Sequence, residues 1–99
     1  MQQTYHNLKT QPVFFEQVLN GVKPFEYRKN DRHFIEGDVL NLREWEPSIG
    51  KYTGREIYVV VAKIWRTIPG MPEDYVLMTY RFLQFFISPN VEEAVKLKV

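Results

Sequence analysis

The chain has 99 residues, with 13 Lys and Arg against 12 Asp and Glu, no cysteine and a formal net charge of +1. That length allows one domain, 1–99, with one core, because two domains would each be too small to bury enough surface. Zero cysteine excludes disulfides, zinc ribbons, Fe–S clusters and thiol catalysis, and the near-neutral charge excludes a protein that coats duplex DNA by charge alone.

In chain order, Thr4 to Lys9 reads as a short strand. Pro12 suits the first turn of a helix, where its missing N–H costs nothing. Phe14, Phe15, Val18, Leu19 and Val22 then fall on one helical stripe, and Gly21 fits just past the last turn. Pro24 to Lys29 reads as a strand with Phe25 and Tyr27 on one face and Glu26 and Arg28 on the other. Asn30-Asp31 and Gly37-Asp38 are turns, the second leading into a strand from Val39 to Trp45. The stretch 46–54, EPSIGKYTG, is expected to be a loop. Glu56 to Arg66 is expected to be a central strand covered on both sides, since its apolar residues do not alternate. A second loop, 67–74, precedes a strand from Tyr75 to Phe82. The core is thus about 4–82, and 83–99 is a tail in which Asn90 and Glu93 have the spacing of a helix cap.

The longest apolar run, Ile57 to Ala62, is far short of the ~20 residues that cross a bilayer, and the N-terminus has no secretory pattern. A cytoplasmic protein with no membrane partner is expected. The element order argues a small mixed sheet or partly closed barrel rather than a βαβ repeat.

HNLKT at 6–10, GVKPFEYRKNDR at 21–32, EGDVLNLREWEP at 36–47, YTGREIYV at 52–59 and YVLMT at 75–79 follow one another in an order that resembles the ASCH domains of the PUA-like superfamily. The likeness is greatest to a bacterial and phage branch of unknown function. It covers roughly residues 4–82, and its most specific piece is G-x-K-x-x-E-x-R, here Gly21, Lys23, Glu26 and Arg28. The resemblance implies an α+β fold, a small PUA-like mixed β-barrel with one main helix near the N-terminus and a cleft beside that helix. RNA or nucleotide binding is the function it implies, and amidohydrolase action on acetylated cytidine, with Lys23 as the catalytic amine, is the enzymatic alternative.

The residues can be read on their own chemistry. Lys23 leaves a helix and enters a strand, at an element end where clefts form, and can serve as a point charge for phosphate. Glu26 and Arg28 on one strand face make, with Lys23, a polar floor able to receive a base edge and a phosphate. Lys9 points to the same region if Leu8 faces inward. Arg32 can reach a phosphate or serve only the turn, and the sequence does not choose, whereas Asp31 is expected to accept turn amides. Trp45 and Tyr52 are candidates to stack a base. The amidohydrolase relatives resemble G-x-K-x-x-T-x-R, and here Glu26 stands at the threonine position. A carboxylate beside the amine favours its charged form and disfavours a nucleophile. If the chain is an enzyme, Lys23 and Glu26 are its catalytic candidates, with a further acid among Glu44, Glu56 and Glu73.

Glu36, Gly37 and Asp38 lack a convergent third ligand, so no metal is expected, and no cofactor. His6 reads as a satisfied core or rim histidine, and neither Ser48 nor Ser88 completes a triad. Phe14, Phe15, Phe25, Phe34 and Phe82 fit core positions. Phe82, Phe85, Phe86 and Ile87 form an apolar patch suited to self-association or to a protein partner, the third functional reading.

Overall fold

A computed structural model of the chain describes residues 4–88. Its elements run β1 (Tyr5–Thr10), α1 (Pro12–Leu19), β2 (Phe25–Lys29), β3 (Val39–Glu46), β4 (Lys51–Trp65) and β5 (Tyr75–Ile87). All five strands join one sheet in the order β1-β3-β4-β5-β2. β3, β4 and β5 form an antiparallel meander, β1 pairs parallel with β3, and β2 pairs antiparallel with β5.

This corrects the expected α+β barrel with one main helix. Among the described residues the fold is mostly β, a five-strand half-barrel whose helix has only eight residues. The barrel stays open because β1 and β2, neighbours in sequence through α1, lie at the two opposite edges of the sheet and pair with other strands. Register shifts between Arg43 and Trp45, Tyr58 and Val59, and Val61 and Lys63 help curl the sheet, since bulges bend and twist a strand.

Alternation on the strands supplies the core. Leu8, Leu40, Leu42, Ile57, Val59, Val61, Val76 and Met78 point to the concave face, where Phe15 and Val18 of α1 and Phe34 pack on them. Burying each such side chain contributes ~1.5–3 kcal/mol. α1 starts at Pro12 and stops at Asn20, after which Gly21 takes a left-handed φ of 75°. That conformation favours glycine, as the C-terminal position of the helix required.

Several expectations change here. Residues 46–54 are not all loop: the turn is confined to 47–50, and Lys51 already begins β4. Gly54, at φ 94°, lies in a bulge that turns Thr53 and Arg55 toward Glu44. β4 is central, as expected, but only its concave side is fully covered, and Tyr58 and Val60 on the other side are half-buried. Of the five phenylalanines assigned to the core, only Phe15 and Phe34 are there; Phe14, Phe25 and Phe82 are exposed. β5 runs five residues past Phe82, so part of the expected tail is strand. The cap proposed at Asn90 and Glu93 lies outside the described residues.

Polar groups fix the strand ends. The buried Asp38 carboxylate lies 2.8 Å from His6 Nε2 and accepts hydrogen bonds from the Ile35 and Thr4 amides. His6 is therefore a satisfied buried residue. In the next turn Asn30, not Asp31, is the side chain that accepts a backbone amide, from Phe34. Across the core, Arg55 pairs with the buried Glu44 through two nitrogens and reaches Glu16 on α1, tying the helix to β3 and β4. The hydrogen bond with Glu44 is the main reason the Arg55 guanidinium binds its proton even more tightly than usual. Among the described residues no helix is long and apolar enough to cross a membrane.

Candidate functional site

A concavity of about 560 Å³ lies between the end of β1, the first turns of α1 and the edge strand β2. Its walls include Lys9, Thr10, Phe14, Lys23, Glu26 and Arg28. Four residues named from sequence, Lys9, Lys23, Glu26 and Arg28, thus share one cleft.

Strand alternation explains why. Glu26 and Arg28 pair with Met78 and Val76 on β5, both core residues, so the two polar side chains point to the concave side. Phe25 and Tyr27 consequently face outward, the reverse of a core assignment for Phe25. Glu26 is 3% exposed and would be an unpaired buried charge without help. Lys23 Nζ sits 3.3 Å from its Oε1, and Arg28 Nε donates to Oε2. The same Lys23 ammonium lies 5.4 Å from the Phe14 ring centre and 5.6 Å from that of Phe25, so two aromatic rings flank it. The floor is therefore a carboxylate clamped between two cations, with apolar walls.

Tyr80 supports this floor from β5. Its hydroxyl donates to the Lys23 carbonyl, and its pKa is pushed up to about 12, first by burial and then by the nearby Glu26 charge. The phenol stays a donor at neutral pH and holds the turn that carries Lys23.

Thr10 escaped the sequence reading. Its Oγ1 is buried and has no hydrogen-bond partner among the described residues, yet Thr10 lines the cleft. Such an orphan hydroxyl costs roughly 1–3 kcal/mol. The signal was available: if Leu8 faces inward, period two puts Thr10 inward as well.

Trp45 and Tyr52 are cross-strand partners on β3 and β4, with ring centres 4.9 Å apart in an edge-to-face arrangement. Lys9 Nζ stands 4.0 Å over the Trp45 ring, which links this pair to the cleft rim. Arg43, a residue not singled out from sequence, covers Tyr52 at 3.9 Å. Arg32 lies outside the main cleft, in an adjoining depression that shares Tyr27 and Arg28 with it.

The possible further acids fall elsewhere. Glu44 is engaged by Arg55 and Thr53, Glu56 by Arg43 and Asn41, and Glu73 lies in the loop beyond Trp65. Among the described residues no group of three acids or histidines is arranged to hold a metal ion.

The family model described as "Domain of unknown function (DUF3850)" matches residues 5–80, a span that contains every residue of the cleft. An Escherichia phage P2 protein described as "Uncharacterized 12.9 kDa protein in GpA 3'region" is 36% identical over 90 residues, which cover 91% of this chain and 79% of that protein.

Proposed function

The chain belongs to that family of domains of unknown function, and from its own cleft we propose that it is an RNA- or nucleotide-binding module. The observation that carries the reading is a cavity that presents Lys9, Lys23 and Arg28 together, with Thr10 in its wall, whose buried hydroxyl has no partner among the described residues. A hydroxyl able to donate, beside three cations, matches a phosphate or a nucleotide carbonyl better than an apolar ligand. Glu26 acts as a positioning residue that holds Lys23 and Arg28 at fixed places on the floor. The exposed Phe14 ring, and Trp45 with Tyr52 behind Lys9, supply surfaces on which a base stacks.

The ordered motifs from His6 to Thr79 resemble those of the ASCH, PUA-like proteins, and that resemblance supports the same ligand class. The amidohydrolase alternative needs Lys23 as a free amine, and its ion pair with Glu26 weighs against that chemistry. A protein-interaction role has one observation in its favour: Phe82, Leu83, Phe86 and Ile87 are all exposed on the end of β5. Of the residues expected to mediate self-association, Phe82, Phe85 and Phe86, Phe85 instead packs against the core, so association through Phe82 and Phe86 would show as a concentration-dependent mass. A cytoplasmic location is part of the nucleotide-binding proposal, since its ligand is found there.

The test titrates labelled single-stranded RNA by fluorescence anisotropy and incubates the protein with acetylated cytidine in parallel. Lys23→Ala and Arg28→Ala should each weaken RNA binding, by about tenfold for the loss of one charge-assisted contact, while the circular dichroism spectrum is kept. Lys23→Arg should retain most of the affinity. Release of acetate that is lost in Lys23→Arg would replace this reading with the hydrolase.

A further inference from the structure

The half-barrel is closed by side chains where strand pairing fails. β1 and β2 form no ladder with each other, and the gap between them is spanned by two arginines. Arg28 Nη2 donates to the Lys9 carbonyl at 2.7 Å, and Arg32 Nη1 donates to the Asn7 carbonyl at 2.9 Å. Those carbonyls are two residues apart on one strand, so the guanidinium groups are anchored about 6.6 Å apart along the seam. Each guanidinium has five donor hydrogens and keeps some beyond these bonds.

The cleft does not end at Arg28. A second depression of about 280 Å³ continues along the seam, lined by Arg28, Lys29, Asp31 and Arg32, with Tyr27 and Tyr75 at its side. Arg28 is the shared wall. Together the two depressions present five cations, Lys9, Lys23, Arg28, Lys29 and Arg32, against Glu26 and Asp31. In a chain of net charge +1 this is where the positive charge gathers. Glu26 is held on both oxygens, and Asp31 stands 3.9 Å from Arg32.

We propose that the ligand is a single-stranded oligonucleotide laid along the β1/β2 seam, with one phosphate in the Lys23/Arg28 cleft and the next at Arg32 and Lys29. The inference rests on the nucleotide-binding reading and goes further by excluding a mononucleotide as the full ligand. Two anchored guanidinium groups at a strand repeat match the spacing of neighbouring phosphates on an extended chain. Peptide strand addition is disfavoured, because the Asn7 and Lys9 carbonyls that an added strand would use already accept from the arginines.

The experiment measures affinity for a mixed-sequence, 5′-phosphorylated RNA dinucleotide and for 5′-mononucleotides between 50 and 200 mM salt. Two phosphate contacts on a single strand give a log–log slope of about −1.4, an affinity loss of about sevenfold over that range, and one contact gives about −0.7, a loss of about 2.6-fold. The wild type should show the steeper dependence with the dinucleotide and the shallower with mononucleotides. Arg32→Ala should reduce the dinucleotide to the shallower slope and leave mononucleotide affinity unchanged. Arg32→Gln, which keeps a donor for the Asn7 carbonyl, should behave like Arg32→Ala, since the charge and not the bridge is what the second phosphate uses. Equal affinity for both ligands with no effect at Arg32 would overturn the seam and leave the one-nucleotide cleft standing. No binding of either ligand would overturn both.

Discussion

Replacing Thr10 by valine separates what the cleft costs the fold from what it offers a ligand. The two side chains have nearly the same shape, and residue 10 is only 5% exposed, so the change deletes a hydroxyl and little else. In the free protein that hydroxyl is buried on the residue that pairs with Glu44 of β3, and it has no hydrogen bond among the described residues. Leaving a buried donor unmade costs roughly 1–3 kcal/mol, and an apolar group of the same shape removes that penalty. Thr10→Val should therefore be the more stable protein by about 1 kcal/mol, which in a domain of this size raises Tm by about 4–8 °C. Binding should move the other way. A hydroxyl that donates to a charged phosphate oxygen contributes about 1.5 kcal/mol, so affinity for short RNA should fall by about tenfold. Calorimetric unfolding and anisotropy on the same preparations measure both quantities. A variant with lower Tm would mean that the hydroxyl is structural, and one with unchanged affinity would mean that it does not meet the ligand. Either result refutes the reasoning.

Arg55→Ala removes the cation that binds both oxygens of Glu44, a residue only 1% exposed, and it unties Glu16 on α1. Stability should drop by about 3 kcal/mol, the lower end for a broken buried pair because Arg55 itself keeps some exposure, and urea unfolding would show it as a lower midpoint. Tyr80→Phe should cost about 1 kcal/mol at neutral pH through the lost bond to the Lys23 carbonyl. Because the Tyr80 phenol titrates near 12 in the folded chain and near 10 when unfolded, its contribution is complete below pH 10 and is lost as pH rises toward 12. The stability gap between wild type and Tyr80→Phe should narrow over that interval, which denaturant midpoints taken from pH 9 to 11.5 would follow.

The amino-acid sequence determined the elements and most of the cleft by local rules. Pro12 and Gly21 bound the helix because one lacks an N–H and the other tolerates a positive φ. Alternation put Glu26 and Arg28 on one face, and the short reach from Lys23 to Glu26 is built into their spacing. The same rule had Thr10 in its grasp once Leu8 faced inward. Long-range pairing lay beyond it. Nothing local states that β1 joins β3 and β2 joins β5, and that choice alone leaves the barrel open and sends Arg28 and Arg32 across the seam. Gly54 read as loop because glycine punctuates turns and bulges alike, and only the opposing Glu44, whose charge needs Arg55, decides between them. Phe14, Phe25 and Phe82 failed as core residues for a related reason. Hydrophobicity favours burial but does not provide a partner, and an open half-barrel covered, among the described residues, by one eight-residue helix has too little covering surface for them all.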